Sequence, residues 1–220
     1  MSSPLQRSIL SPVLSPALSY APNITDRASE RTPDRTRGIP GGRLVELVSG
    51  VGPSSGSSLA ALTLLETQKE GGLTAWIEHE GGALYPPDLA QLGLDLDSLL
   101  IARTPTEGGA IAIAKAAEIL LRTGAFSALT LDLSGLKRPR GEAFLARLAA
   151  LAREYGARVL ILRDSSEEPS LGTSIALRLD ARRIRVGRGR FRLETHALKN
   201  KLGQPPPRLF RIFSAPEGVW

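Results

Sequence analysis

The stretch "RLVELVSGVGPSSGSSLAALTLL" (Arg43–Leu65) decides the fold. Arg43–Val48 is a short, largely apolar run that reads as a buried strand. Ser49–Ser58 is a Gly/Ser-rich turn, and from Leu59 the apolar residues Leu59, Leu62 and Leu65 recur at helical spacing until Gly71-Gly72. Strand, glycine-rich turn and helix N-terminus is the order of a phosphate-binding loop. There, backbone N–H groups surround a phosphate, a lysine neutralises its charge and a Ser/Thr hydroxyl holds magnesium, in the pattern GxxxxGK[ST]. Anchored on Gly56, the lysine position is Ser57 and the magnesium-ligand position is Ser58. The first glycine of the pattern falls on Val51, between Gly50 and Gly52. Loss of the lysine removes a charged contact worth about 1.5–3 kcal/mol. Gly52, Ser54, Ser55, Gly56, Ser57 and Ser58 therefore form a degenerate nucleotide loop. Its amides leave weak ATP and magnesium binding open, but ATP turnover is not expected and no cofactor is assigned.

Working outward, the same alternation continues. "LTAWIE" (Leu73–Glu78), "SLLIAR" (Ser98–Arg103), "ALTLDL" (Ala128–Leu133) and "ARVLILR" (Ala157–Arg163) read as strands. Pro86–Leu94, Gly109–Thr123 and Gly141–Tyr155 read as the helices between them, the last with Phe144, Leu148, Leu151 and Tyr155 on one face. Strands alternating with helices imply a parallel sheet covered on both sides. After Leu171 only strand signals remain, with a turn at Gly187–Gly189. The expected fold is a three-layer α/β domain with a mostly parallel central sheet and antiparallel C-terminal edge strands.

With 220 residues and 42% apolar composition the chain suits one sizeable α/β domain. Residues 1–38 read as a flexible Ser/Pro/Arg-rich arm, 39–214 as the core and 215–220 as a tail. There is no cysteine, and His79 and His196 lack paired ligands, so no metal site is expected. No apolar run reaches the ~18–20 residues that span a bilayer. Pro4, Pro12 and Pro16 interrupt the N-terminus as a secretory signal, so a soluble cytoplasmic chain is expected, with nucleoid association left open. Within the arm, "QRSIL" (Gln6–Leu10) is similar to short peptides that dock on bacterial sliding clamps.

Charge is unevenly spread. The net charge is +6, and Ala181–Arg211 holds ten Lys/Arg against one acid, Glu194. A concentrated basic segment favours an anionic partner, nucleic acid first, although charged edges also keep sheets from aggregating. Alternation in "RRIRVGRGRFRL" (Arg182–Leu193) predicts Arg183, Arg185, Arg190 and Arg192 on one face, with Ile184, Val186, Phe191 and Leu193 on the other. Lys137, Arg138 and Arg140 form a smaller basic cluster. Both clusters are candidate nucleic-acid or partner contacts, with solvated surface as the alternative.

These segments carry a family resemblance. Gly38–Leu65 resembles the start of the bacterial RecA recombinase core, and Leu73–Leu100, with its "LGLDLDSLL" run, resembles the segment that follows. "ALTLDLSGL" (Ala128–Leu136) falls at the Walker B strand, and "ALRLDARRI" and "ALKNKLGQPPPRLFRIF" are similar to the late strands. The resemblance places Glu80 at the glutamate that activates water and Asp132 at the Walker B aspartate. It places Lys199 and Lys201 where a recombinase subunit reaches its neighbour's nucleotide. The nucleotide-sensing Asn-Gln pair is replaced near Arg163-Asp164. The two DNA-contacting loops are cut to Gly135–Glu142 and Asp164–Gly172, the second carrying Asp164, Glu167 and Glu168. The resemblance thus implies a RecA fold without the ATP-driven filament cycle. It is most similar to the ImuA type of translesion-synthesis accessory protein, for which the implied partners are RecA, an ImuB-like polymerase-associated protein and DNA. Two alternatives stand beside it: a SulA-like division inhibitor, and a RecA paralogue that keeps DNA-dependent ATP binding.

Overall fold

A computed structural model describes residues 38–49, 55–139, 141–164, 168–206 and 211–214. Its elements run β1 (Arg43–Ser49), α1 (Gly56–Lys69), β2 (Leu73–His79), α2 (Pro86–Leu92), β3 (Leu99–Thr104), α3 (Gly109–Arg122) and β4 (Phe126–Asp132). They continue with α4 (Ala143–Tyr155), β5 (Arg158–Arg163), β6 (Ile175–Gly187), β7 (Arg190–Asn200) and β8 (Arg211–Ser214). The strands form one sheet in the order β3-β2-β4-β5-β1-β6-β7-β8. Every pair from β3 to β6 is parallel, and β6–β7 and β7–β8 are antiparallel. The sequence expectation for the fold class holds, and the doubly covered parallel half explains why its strands are apolar on both faces.

Alternate residues of the strands feed two cores. On one face Val45, Leu47, Trp76, Leu160 and Leu179 pack against α1 and the Leu89–Leu94 segment. On the other, Leu44, Ile77, Leu129, Leu131 and Ile161 pack against α3 and α4. Helix α1 departs from the expected one-sided pattern, because Leu59–Leu65 is buried without a break. Leu89 of α2, Leu94 just past it and Leu193 of the hairpin belong to the same core cluster as these α1 residues. The buried hydroxyls of α1 are satisfied within the helix, Thr63 donating to Leu59 O at 2.9 Å and Thr67 to Thr63 O at 2.8 Å. Helix α4 stops at Gly156, which takes φ 67° while Ala157 N–H reaches back to Ala152 O at 3.0 Å.

The hairpin corrects one expectation. Directly opposed residues of an antiparallel pair share a face, and here Arg183 opposes Leu193, Arg185 opposes Phe191 and Ile184 opposes Arg192. Arg183 and Arg185 therefore stand with Phe191 and Leu193, and the Arg183 guanidinium lies 5.1 Å from the centroid of the Phe191 ring. Arg190 and Arg192 stand on the opposite face, where Arg192 lies between Ile184 and Ile212. The four arginines are split two and two. A register shift between Arg185 and Gly187 inverts the phase that alternation through the turn predicts.

Candidate functional site

The parallel strands bring the family-matching positions to one edge of the sheet, the edge formed by their C-terminal ends. Ser49 ends β1, Asp132 ends β4, and Glu80 follows β2. This is where open parallel sheets bind ligands. Gly52 and Ser54, with Val51, lie outside the described residues.

Helix α1 begins at Gly56 with Ser55 as its N-cap, and the Ser55 side chain makes no capping bond. The cap comes from elsewhere. Ser49 Oγ accepts the N–H of Ser55 at 3.1 Å and that of Gly56 at 3.2 Å. Ser49 and Ser55 are buried, so these two amides are satisfied by the chain's own hydroxyl. A Cβ on Gly56 would lie 3.4 Å from that oxygen, an ordinary contact distance. Ser57 and Ser58 are half-buried at the next two positions. Sequence reasoning missed Ser49. Its signal was weak, a serine at a strand end, because its role depends on how the turn brings Ser55 back to it.

The acidic positions are also engaged. Glu80 sits in an exposed turn whose N–H donates to Thr104 O at 2.9 Å. Asp132 is half-buried, and its Oδ1 accepts from Ser134 N–H at 3.0 Å. Two residues before Glu80, Glu78 is fully buried and pairs with Arg103 at 3.0 Å. His79 accepts Gly81 N–H on Nδ1 at 3.0 Å, a local packing contact.

A dense polar cluster involves residues 168–173, the end of the shortened second loop and the residue after it. Six successive carbonyls there accept from basic side chains. Arg178 donates to Glu168 O, and Arg163 reaches Pro169 O at 3.2 Å. Arg138 spans three acceptors, at 3.4 Å to Pro169 O, 2.9 Å to Ser170 O and 3.3 Å to Leu171 O. Lys199 donates to Gly172 O at 2.7 Å and Lys201 to Thr173 O at 3.1 Å. Beneath this strap, Glu46 of β1 is fully buried between Arg163 at 3.2 Å and Arg178 at 3.6 Å, and it accepts Leu171 N–H at 3.4 Å. Arg163 also pairs with Glu168. Leu171 itself enters the core that α3 and α4 cover.

Sequence-predicted residues thus have inward roles here. Arg138, Lys199 and Lys201 are tied to backbone carbonyls rather than extended as free cations. Burial, with Lys201 beside it, holds the Lys199 amine below the ordinary lysine value. Asp164 accepts Gly135 N–H, joining the two shortened loops. Glu142 accepts both the N–H and the hydroxyl of Thr173 at 2.9 Å, and these bonds hold its carboxyl below the usual carboxylate range. Lys137 is exposed, while Arg140 and Glu167 lie outside the described residues. In the hairpin, Arg192 pairs with Glu194 at 2.5 Å and Arg185 donates to Gly187 O at 3.3 Å, while Arg190 is exposed. The Gln6–Leu10 peptide, the rest of the arm and the 215–220 tail also lie outside the described residues.

The fold agrees with the comparison to known proteins. Residues 34–144, half of the chain, match the family model described as the RecA N-terminal domain. The chain belongs to the RecA N-terminal domain family. Among curated relatives, Protein RecA of Agrobacterium fabrum is 38% identical over 107 residues, covering 48% of this chain and 28% of that protein. Protein RecA of Brucella anthropi is 40% identical over the same length and coverage. The chain therefore spans about 28% of the length of the RecA relatives it matches. Within this RecA-family domain, Glu46 and Arg178 are site-shaping residues that the sequence alone did not single out, and Arg163, noted there only where the sensing pair is lost, joins them. A carboxylate inside an apolar strand was the available signal. No helix among the described residues is long and apolar enough to cross a membrane.

Proposed function

We propose that this chain is a non-catalytic RecA-fold adaptor in DNA-damage tolerance, of the ImuA translesion-synthesis type. It docks on RecA and on an ImuB-like polymerase-associated protein, with DNA as a further partner. The observation that carries this reading is the Ser49 hydroxyl on the Ser55 and Gly56 amides, in a loop whose lysine position is Ser57. A neutral hydroxyl there supplies the hydrogen bonds that a phosphate would otherwise supply, with no cation to hold the anion's charge. The strap supports the same reading, because Arg138, Lys199 and Lys201 hold the chain's own backbone. The kept acids Glu80 and Asp132 favour a second reading, a paralogue that binds ATP in a DNA-dependent manner.

The test is direct association between the purified full chain and purified RecA, followed by sedimentation with and without single-stranded DNA and ATP. The adaptor reading predicts a complex of defined stoichiometry. If RecA sediments unchanged in every condition, the adaptor reading is wrong. Saturable ATP binding that needs DNA, measured in parallel, would move the assignment to the second reading.

A further inference from the structure

The sheet carries opposite charges at its two edges. Beside β3, residues 80–102 hold Glu80, Asp88, Asp95 and Asp97 and no lysine or arginine. All four acids are exposed, and among the described residues none of them forms an ion pair. Asp95 accepts the Ser98 hydroxyl at 2.6 Å and the Asp97 N–H at 3.0 Å, which holds its carboxyl below the usual carboxylate range. Two exposed apolar residues stand among these acids, Tyr85 as the N-cap of α2 and Leu96 in the turn from α2 into β3. The Gln68 side chain of α1 fixes that turn, bonding Asp95 O and Asp95 N–H at 2.9 Å each.

At the other edge β6 outruns the parallel strands. Its last pairing with β1 is Ala181 with Ser49, and every residue from Arg182 to Arg188 is exposed. Beyond that point β6, β7 and β8 form a narrow ribbon, whose segment Arg182–Leu193 holds six arginines and no acid. On one face Ile184, Arg192 and Ile212 stand in a row across the three strands, with Arg190 two residues along from Arg192. Ile184 is 38% and Ile212 53% exposed, so the aliphatic face that such a ribbon needs to have packed is open. Arg192 pairs with Glu194, whereas Arg190 is exposed and forms no ion pair among the described residues.

Two simple ways of covering that face fail. A two-fold contact of the ribbon with its own copy would set arginines against arginines. The chain's own acidic edge is out of reach, because seven strand steps of about 4.8 Å put β3 and β8 about 34 Å apart across the sheet. We propose that the Ile184/Ile212 face of the ribbon docks on the acidic α2–β3 edge of a second copy of this chain. The aliphatic row meets Tyr85 and Leu96, and Arg190 meets the carboxylates of Asp88 and Asp97. Both surfaces pair exposed apolar area with one sign of charge, and the signs are opposite, which sets orientation and favours this pairing over like-with-like contact. Since the two surfaces differ and lie on opposite edges, the contact is head-to-tail. This goes beyond the adaptor reading and does not depend on it.

The test is sedimentation velocity of the full chain from about 1 to about 100 μM, the affinity range of small, charge-rich interfaces. The mean mass should rise with concentration, and raising salt from about 0.05 to about 0.5 M should weaken association about tenfold. I184S/R190S breaks the ribbon and D88K/D97K breaks the acidic edge, and each variant alone should associate at least about tenfold more weakly. Mixed, the two variants keep one intact ribbon and one intact acidic edge, so they should form a one-to-one complex and nothing larger. K115Q, an exposed lysine on α3, controls for net charge and should change nothing, and circular dichroism confirms that each variant folds. A chain that stays monomeric across the range at low salt overturns the proposal. Self-association that neither double variant weakens, equal weakening by K115Q, or a mixture no more associated than its parts overturns it as well.

Discussion

The two ends of β1 differ in what their polar groups meet. At its C-terminal end Ser49 places a hydroxyl on two helix amides, so donors that could meet a phosphate are already satisfied. At its N-terminal end Arg43 is exposed and stands in register with Arg158, which pairs with Glu70 at 2.9 Å. Between them Glu46 is buried and binds two arginines. One strand therefore carries a satisfied anion site, a closed ion cluster and, at its start, an exposed cation. A fold can keep the position of a ligand site while its own groups take the ligand's place, and the difference shows only in which polar atoms are already partnered.

The comparison breaks most severely at Glu46. Glu46→Ala removes the buried carboxylate that Arg163 and Arg178 share, leaving Arg163 only its pair with Glu168, and removing one partner of a buried pair costs about 3–5 kcal/mol. Urea unfolding should show a shift of that size; a loss under about 1 kcal/mol would mean that the strap is not anchored through β1. Next comes Ser49→Ala, which frees the Ser55 and Gly56 amides in a buried setting at about 1–3 kcal/mol. Combined with Ser57→Lys it should raise affinity for tripolyphosphate above that of either single variant. Additivity at zero gain would mean the hydroxyl is not what blocks the site.

Arg138→Gln sharpens the contrast at the strap. It removes three carbonyl contacts from an exposed side chain, so the stability cost is about 0.5–1.5 kcal/mol. The clearer readout is amide hydrogen exchange, which should quicken at residues 168–173 while the core strands stay protected. Unchanged exchange there would make Arg138 a surface residue after all. The smallest effect belongs to Glu142. Its carboxyl is depressed in the folded state, so its contribution is complete above the unfolded glutamate value and is lost as pH falls through the lower folded one. The stability gap between the wild-type chain and Glu142→Gln should therefore narrow on acidification; a gap that widens contradicts the assignment.

The parallel half was legible because its signals are local. Apolar runs such as Arg158–Arg163, amphipathic helices such as α4 and glycine stops such as Gly156 each specify an element without reference to the rest of the chain. The strap was not legible in that way. Glu46 meets Arg163 across 117 residues, and Arg138 meets Ser170 across 32, so those contacts depend on the strand order. The odd carboxylate in "RLVELV" showed that something must compensate it, but not what. The hairpin failed for a different reason. Period-two alternation holds within β6 and within β7, but the phase between them depends on the register shift beside the turn. Ser49 was hidden because a serine at a strand end has many ordinary uses, and its own turn brings the amides to it.

The central claim is that this RecA-family domain keeps the fold without the ATP reaction. ATP hydrolysis by the purified chain, measured with and without single-stranded DNA and with RecA as the positive control, tests it most directly. The account predicts no phosphate release above the protein-free blank in either condition. DNA-stimulated release that disappears in Glu80→Gln would contradict it.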